Sequence, residues 1–271
     1  MTDAPYRSVD GLSVELRGAA LELRLDRPTV RNAVSDTMMT GLIDSVDAAG
    51  RDEAVRVILI TGSGDHFCAG ADIVARNTGD ERRPRAGSIQ RRLPSQAHRL
   101  IPLLCTVQVP VVCAVQGWAA GIGLQIAAAA DFTVVAADAR LWEPFSSRGF
   151  TPDSGATWLL PRLIGAARAS ELLLLGRELS GTEAAEWGLI HRAVPPGDLK
   201  PVTDELSASL AHGPTVALGL TKWLLHAGAS LPLEDQLRNE GFAMELSSRS
   251  EDFREGLGAF KERRPPEFKG R

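Results

Sequence analysis

The sequence predicts an α/β fold with a largely parallel sheet, followed by a helical region. Three observations predict it. Short apolar runs recur, at 55–62 (VRVILITG), 109–117 (VPVVCAVQG) and 131–138 (DFTVVAAD), each long enough for a fully buried strand. Helical segments alternate with them, which requires crossover connections and hence parallel pairing. From about residue 154 strand signals give way to helical ones. Hydrophobic residues make up 44% of the 271, enough for a sizeable core.

Each element has a local reason. In 21–28 (LELRLDRP), Leu21, Leu23 and Leu25 alternate with Glu22, Arg24 and Asp26, the period-two pattern of a half-buried strand, and Pro28 ends it. A helix follows. Ser35 is its N-cap, Met39, Leu42, Ile43 and Val46 form its apolar stripe, and Gly50 closes it. The strands at 55–62, 109–117 and 131–138 come next, with an apolar helix at 121–130 between the last two. The segment 76–92, RNTGDERRPRAGSIQRR, has six arginines, two glycines and a proline and reads as an exposed loop. SGATWLLPRLIG, AARASELLLLG and TEAAEWGLI read as short helical units. Long amphipathic helices fill 200–260, for example 215–227 with Val216, Leu220, Trp223 and Leu224 on one side. These patterns divide the chain into a core over 1–200 and a C-terminal helical region over 201–271.

The net charge of −4 and a pI near 5.8 argue against a general nucleic-acid binder. Three cysteines, Cys68, Cys105 and Cys113, form no CxxC pair. The opening MTDAPYRSVDG does not resemble a signal peptide, so a reducing cytoplasm is expected. The apolar run GLQIAAAADFTVVAA is split by Asp131 and is shorter than the roughly 20 residues of a membrane span, so no membrane partner is expected.

Two strand-to-turn junctions look alike: ILITGSGDHFCAGADI (58–73) and VCAVQGWAAGIGLQIA (112–127). In each a buried strand ends in a loop of small residues able to present backbone N–H groups. Two such groups converging on one point stabilise negative charge on a carbonyl oxygen. A helix beginning near Gly121 adds its dipole. The glycines also fit tight turns with no further role. A dinucleotide fingerprint fails, because the third glycine position of Gly121-Ile122-Gly123 is occupied by Ile126.

Four blocks, HFCAGADI (66–73), VQGWAAGIGLQIAAAADFTVVAADARLWEP (115–144), GFTPDSGATWLLPRLIG (149–165) and AAEWGLIHRAVP (184–195), resemble the crotonase superfamily of enoyl-CoA hydratases and isomerases. The resemblance runs from about residue 11 to 268. It implies a spiral of ββα units with a C-terminal trimerisation region, assembled as a homotrimer or a hexamer of two trimers. It implies a coenzyme A thioester as substrate and no permanently bound cofactor. The N–H groups at Ala69 and Ile122 match its oxyanion-hole donors. Arg27 and Arg31, the backbone near Ala69 to Asp72 including Ala71, and Phe260 and Arg263 match positions beside the coenzyme A.

The resemblance breaks at the acid–base positions. Hydratases of the family use two glutamates, and the matching positions are Gln125 and Phe145. Neither side chain titrates in the range that general acid–base catalysis needs. Asp153, in TPDSG, matches the region where some isomerases and a dehalogenase of the superfamily carry a working aspartate. Beside an apolar acyl group and Phe145 its pKa is expected to rise. One carboxylate suffices to move a proton from C2 to C4 of a 3-enoyl-CoA. Asp153 also fits a plain helix cap before Ser154. Glu143 shares a face with residue 145 if the segment is extended and then reaches the pocket; as a strand-end residue it is solvated. Gln125, one turn from Ile122, is either a pocket hydrogen-bonding group or an ordinary polar residue of its helix.

Trp118, Trp142, Gly121 and Phe145 complete the expected substrate pocket, apolar or ring-binding in character. Cys68 reads as a small buried residue. The five histidines, 66, 98, 191, 212 and 226, lack HxxxH or HExxH spacing, so no metal is expected. Three functions stay open: an isomerase with Asp153 as base, a hydratase using Asp153 with Glu143, and an acyl-CoA-binding protein with little chemistry.

Overall fold

A computed structural model describes residues 6–72 and 86–271. Most of the loop expected at 76–92 lies outside the described residues; its end, Ser88–Arg92, is a short helix.

Among the described residues, nine strands form two sheets. They are β1 (Leu12–Arg17), β2 (Ala20–Leu25), β3 (Val57–Gly62), β4 (Val111–Val115), β5 (Trp118–Ala120), β6 (Phe132–Ala136), β7 (Arg140–Trp142), β8 (Glu178–Ser180) and β9 (Arg192–Val194). The larger sheet runs β1-β2-β3-β4-β6-β9. Only its β1–β2 pair is antiparallel; the other pairings are parallel. A smaller sheet, β5-β7-β8, stands beside it.

The helices are α1 (Asp36–Ala49), α2 (Ser88–Arg92), α3 (Ala97–Thr106), α4 (Ile122–Ala129), α5 (Ala156–Leu175), α6 (Gly181–Glu186), α7 (Leu199–Ala211), α8 (Thr215–Gly228), α9 (Leu233–Ser247) and α10 (Glu251–Glu262). Ser35 caps α1 as its sequence requires: its hydroxyl accepts from the Met38 N–H at 3.2 Å. The two apolar units at 154–176 are one helix, α5, broken at Gly165, whose φ of 77° is non-helical. The alternating leucines of β2 are fully buried, as its pattern demands. Helix α7 lies across β2, β3, β4 and β6.

The three-residue strands β5, β7, β8 and β9 are too short to show periodicity, and the sequence patterns did not mark them. They form because neighbours supply ladders. Trp118–Ala120 pairs in parallel with Arg140–Trp142, which pairs antiparallel with Glu178–Ser180.

Two buried or half-buried cations fasten the C-terminal helices to this core. Lys222 of α8 is 5% exposed. Its ammonium contacts Asp131 Oδ2 at 2.7 Å and donates to the Leu104 carbonyl at 2.7 Å and the Val109 carbonyl at 3.3 Å. Asp131 Oδ2 also accepts from the Val111 N–H at 2.8 Å. One ammonium thus joins α8, the end of α3 and the starts of β4 and β6. Arg56, before β3, donates to Thr215 Oγ1, the Gly213 carbonyl and the Phe268 carbonyl.

Breaking a buried pair by removing one partner leaves an uncompensated charge, at a cost of about 3–5 kcal/mol. Lys222→Met is therefore expected to destabilise the fold by that amount in urea unfolding followed by circular dichroism. Combining it with Asp131→Leu should recover part of the loss.

Candidate active site

The two glycine-rich junctions of the sequence meet in space. After β3 the chain runs extended through Cys68, parallel to β5. The Cys68 N–H donates to the Trp118 carbonyl at 2.8 Å and the Ala120 N–H donates to the Cys68 carbonyl at 2.9 Å. This bridge pairs Cys68 with Ala119, three residues before Ala71 on one strand exit and three before Ile122, the first residue of α4, on the other. Contact this close needs Gly123: a Cβ there would lie 2.6 Å from the Cys68 Cβ and 2.7 Å from its carbonyl oxygen.

Which amides are available follows from the other side of the same segment. The Ala69 N–H donates to the Arg31 carbonyl at 2.9 Å. This corrects the expectation for Ala69, whose amide hydrogen is already engaged. The Asp72 N–H donates to the Val34 carbonyl at 3.0 Å, and the Val34 N–H donates to the Gly70 carbonyl at 2.8 Å. Val34 thus holds both neighbours of Ala71, and the Ala71 N–H points away from it. Residues 69 and 72 both bond to the 31–34 segment, a spacing of three where regular alternation needs two or four. Gly70, at φ +110°, absorbs the irregularity. The Ala71 N–H is thus turned away from Val34, and Ile122 begins α4, whose first N–H groups have no intrahelical acceptor. The Gly121 N–H is engaged with the Trp142 carbonyl at 3.0 Å.

Gln125 and Glu143 are both fully buried, and the Gln125 amide donates to Glu143 Oε1. Glu143 is therefore not a solvated strand-end residue. Burial pushes its carboxyl well above the usual range; the Gln125 donor pulls it down, and the charge of Asp153 pushes it up again. Its Oε2 and the Gln125 Oε1 have no hydrogen-bond partner among the described residues. A protonated Glu143 thus brings an O–H donor to a place where an acceptor is also unfilled.

Asp153 is half-buried. Its carboxylate accepts from the Ser154 hydroxyl at 2.7 Å, and its backbone carbonyl lies 2.7 Å from His98 Nε2. It caps no helix: α5 begins at Ala156 behind Gly155, without a side-chain cap. Phe145 is buried and stacks edge-on with Phe150 at 5.5 Å. Trp118 packs on Trp142 at 6.0 Å, under the Arg140 guanidinium, and the Trp142 indole donates to the Gly176 carbonyl. The two indoles thus brace the smaller sheet.

Asp153 lies on the wall of a cleft of about 730 Å3 between α3, residues 152–159 and α8, within the usual size range of small-molecule sites. Trp118, Gly121, Glu143 and Phe145 are not among its lining residues.

The expected coenzyme A contacts are only partly free. Arg27 Nη1 binds Asp72 Oδ2 at 2.9 Å and the Ala33 carbonyl at 2.8 Å, so this pair brings no net charge to a phosphate. Arg31 is exposed, with a left-handed backbone (φ 52°). Phe260 is 82% exposed, and Arg263 is the exposed C-cap residue of α10. Cys68 is buried, its thiol pushed up to about 12 by desolvation, which suits a packing residue and not a nucleophile.

Asn32 carries no conspicuous sequence signal, yet it organises these loops. It is fully buried at φ 56°. Its Oδ1 accepts from the Arg27 N–H, and its Nδ2 donates to the Ser63 and His66 carbonyls.

Residues 15–271 match the sequence profile described as Enoyl-CoA hydratase/isomerase. The chain is 38% identical over 251 residues to the 1,2-epoxyphenylacetyl-CoA isomerase of Escherichia coli, covering 93% of this chain and 95% of that one. It is 30% identical to the crotonyl-CoA hydratase of Syntrophomonas wolfei, covering 91% and 93%. The crystal structure of an enoyl-CoA hydratase from Bacillus anthracis superposes with a TM-score of 0.89 at 31% identity, covering 96% of this chain and all of that one.

The environment of Glu143 has a thermodynamic signature. A carboxyl whose pKa is raised on folding stabilises the fold below its unfolded pKa, and that stability is lost as pH rises through the folded value. Unfolding free energy should therefore fall as pH rises above the ordinary carboxylate range. Glu143→Gln should flatten that fall in urea titrations at successive pH values.

Proposed function

The chain belongs to the enoyl-CoA hydratase/isomerase family, and on that premise we propose that it shifts a double bond in an acyl-CoA, from 3-enoyl to 2-enoyl, with Asp153 as the base. The chemistry begins at the thioester. Its carbonyl oxygen takes up charge when a proton leaves C2, and the Ala71 and Ile122 amides are the donors proposed for it. Losing one such donor costs on the order of 3–4 kcal/mol of barrier. The Asp153 carboxylate removes the C2 proton and the electrons pass into the thioester as a dienolate. The same carboxyl then returns the proton at C4. No water is consumed, and the enzyme ends as it began.

The observation that carries this reading is the distribution of ionisable groups. The two positions that hold glutamates in hydratases are an amide, Gln125, and a phenyl ring, Phe145. Asp153 lines the cleft and caps no helix. The name of the E. coli relative, an isomerase, agrees. The burial of Glu143 beside Gln125, where it senses the charge of Asp153, favours hydration by these two carboxyls as the second reading. Arg31, Phe260 and Arg263 are proposed as contacts of the coenzyme A.

We also propose a homotrimer or a hexamer of two trimers. The support is exposed apolar surface: Leu174, Leu175, Leu225, Leu233, Phe242 and Phe260 are more than two-thirds exposed. A cytoplasmic location is proposed from three buried free thiols. Among the described residues, no helix is long and apolar enough to cross a membrane.

Incubation with a 3-enoyl-CoA in D2O should yield the 2-enoyl isomer by NMR and mass spectrometry. Asp153→Asn should lower kcat by about 10²- to 10⁴-fold, the usual contribution of a general base, with acyl-CoA binding retained. A 3-hydroxyacyl product from a 2-enoyl-CoA would replace this reading with the second. Sedimentation equilibrium should give three or six times the 29.0 kDa chain mass.

A further inference from the structure

The cleft that Asp153 lines has a direction. Helix α3 forms one side of it, through Ala97, His98, Ile101, Pro102, Cys105 and Thr106. His98, at the start of this helix, touches the Asp153 backbone. From Ala97 to Thr106 the helix rises about 13 Å at ~1.5 Å per residue. At the far end stands α8, with Trp223, His226 and Ala227. Its position there is fixed by Lys222, whose ammonium holds the Leu104 carbonyl one residue before Cys105. The floor is apolar: Ala97, Ile101 and Leu159 are buried. Trp158 and Trp223 stand at the rim.

The far end is different in character. His226 is half-buried, and its imidazole has no hydrogen-bond partner among the described residues. Desolvation lowers its pKa; the charge of Asp131 raises it and that of Lys222 lowers it. The ring there is neutral at physiological pH, with one donor and one acceptor nitrogen. An apolar trough about 13 Å long that ends on a neutral, unfilled imidazole complements an apolar chain with one polar atom at its tip.

We infer that this trough takes the acyl group of the substrate, and that His226 selects acyl groups carrying a hydrogen-bonding oxygen, such as a hydroxyl, at the end remote from the thioester. This rests on the acyl-CoA reading above, but not on which reaction follows. Asp153 at one end of the trough and His226 at the other then act on opposite ends of one ligand. A plain hydrocarbon tip would leave the imidazole desolvated and unpaired, which disfavours it.

Binding tests this apart from turnover. Dissociation constants of saturated acyl-CoAs of 4 to 14 carbons, and of the ω-hydroxy counterpart of the best of them, would be measured by calorimetry for the wild type and for His226→Phe and His226→Gln. Affinity should rise with chain length until the trough is filled. The ω-hydroxy ligand should then bind about fivefold tighter than its parent, the value of one neutral hydrogen bond. His226→Phe should abolish that difference, His226→Gln should retain part of it, and both should bind coenzyme A itself as the wild type does. Affinity independent of chain length would overturn the trough assignment while leaving the acyl-CoA reading intact. Length dependence without a hydroxyl preference, or a preference that survives in His226→Phe, would overturn the role of His226. Failure of every acyl-CoA to bind would overturn both the trough and the acyl-CoA reading.

Discussion

The site depends on one short stretch of main chain: the parallel bridge between Cys68 and Ala119. It holds the exit of β3 against β5, just before Ala71 on one chain segment and α4 on the other. Packing enforces this register from both sides. Gly123 lets α4 rest directly on Cys68, while Val34 clamps the residues on either side of Ala71. Two ordinary strand exits are thereby joined, which is what the proposed pair of amide donors requires. Asn32 ties the loop after β2 to the loop after β3 through two carbonyls and keeps the outer rim of this arrangement in place.

Around that backbone the carboxyl groups are sorted by environment. Glu143 is fully buried and its carboxyl is pushed well above the usual range by desolvation, whereas Asp153 is half-buried with a hydroxyl donor. Two groups of one chemical type thus sit in different surroundings, one desolvated and one half-buried beside a hydroxyl. Gln125 makes sense in this light. An amide gives its buried neighbour a hydrogen bond without a second titrating group, where a glutamate would set two carboxyls side by side in a desolvated space. Phe145 keeps the adjoining region apolar and stacks on Phe150.

Much of this was legible in the sequence. The buried strands, the Ser35 cap and the helix at 121–130 follow from periodicity and capping chemistry, and the family emerges from the order of four motif blocks. Elements of three residues were not legible, because β5, β7, β8 and β9 exist only through their ladder partners. The choice of amide was not legible either. The HFCAGAD stretch carries two alanines two residues apart, and only the hydrogen bond from Ala69 to Arg31 tells them apart. Glu143 looked like a strand-end carboxylate; burial is a property of what packs over it, and nothing local encodes that. Arg27 looked like a phosphate ligand until the fold brought Asp72 to it from 45 residues away. Lys222 and His226 are one helical turn apart on α8, polar residues among Leu220, Trp223 and Leu224, a pattern that marks a special face without saying what it meets.

The amides at Ala71 and Ile122 belong to the main chain, so no exchange of a side chain at either position, proline apart, removes them. On the proposed reading, substitutions can therefore alter the side chains around the substrate carbonyl while its two donors stay. On the same reading, the side chains at 125, 143, 145 and 153 set which protons move, while the main chain sets where the charge is received.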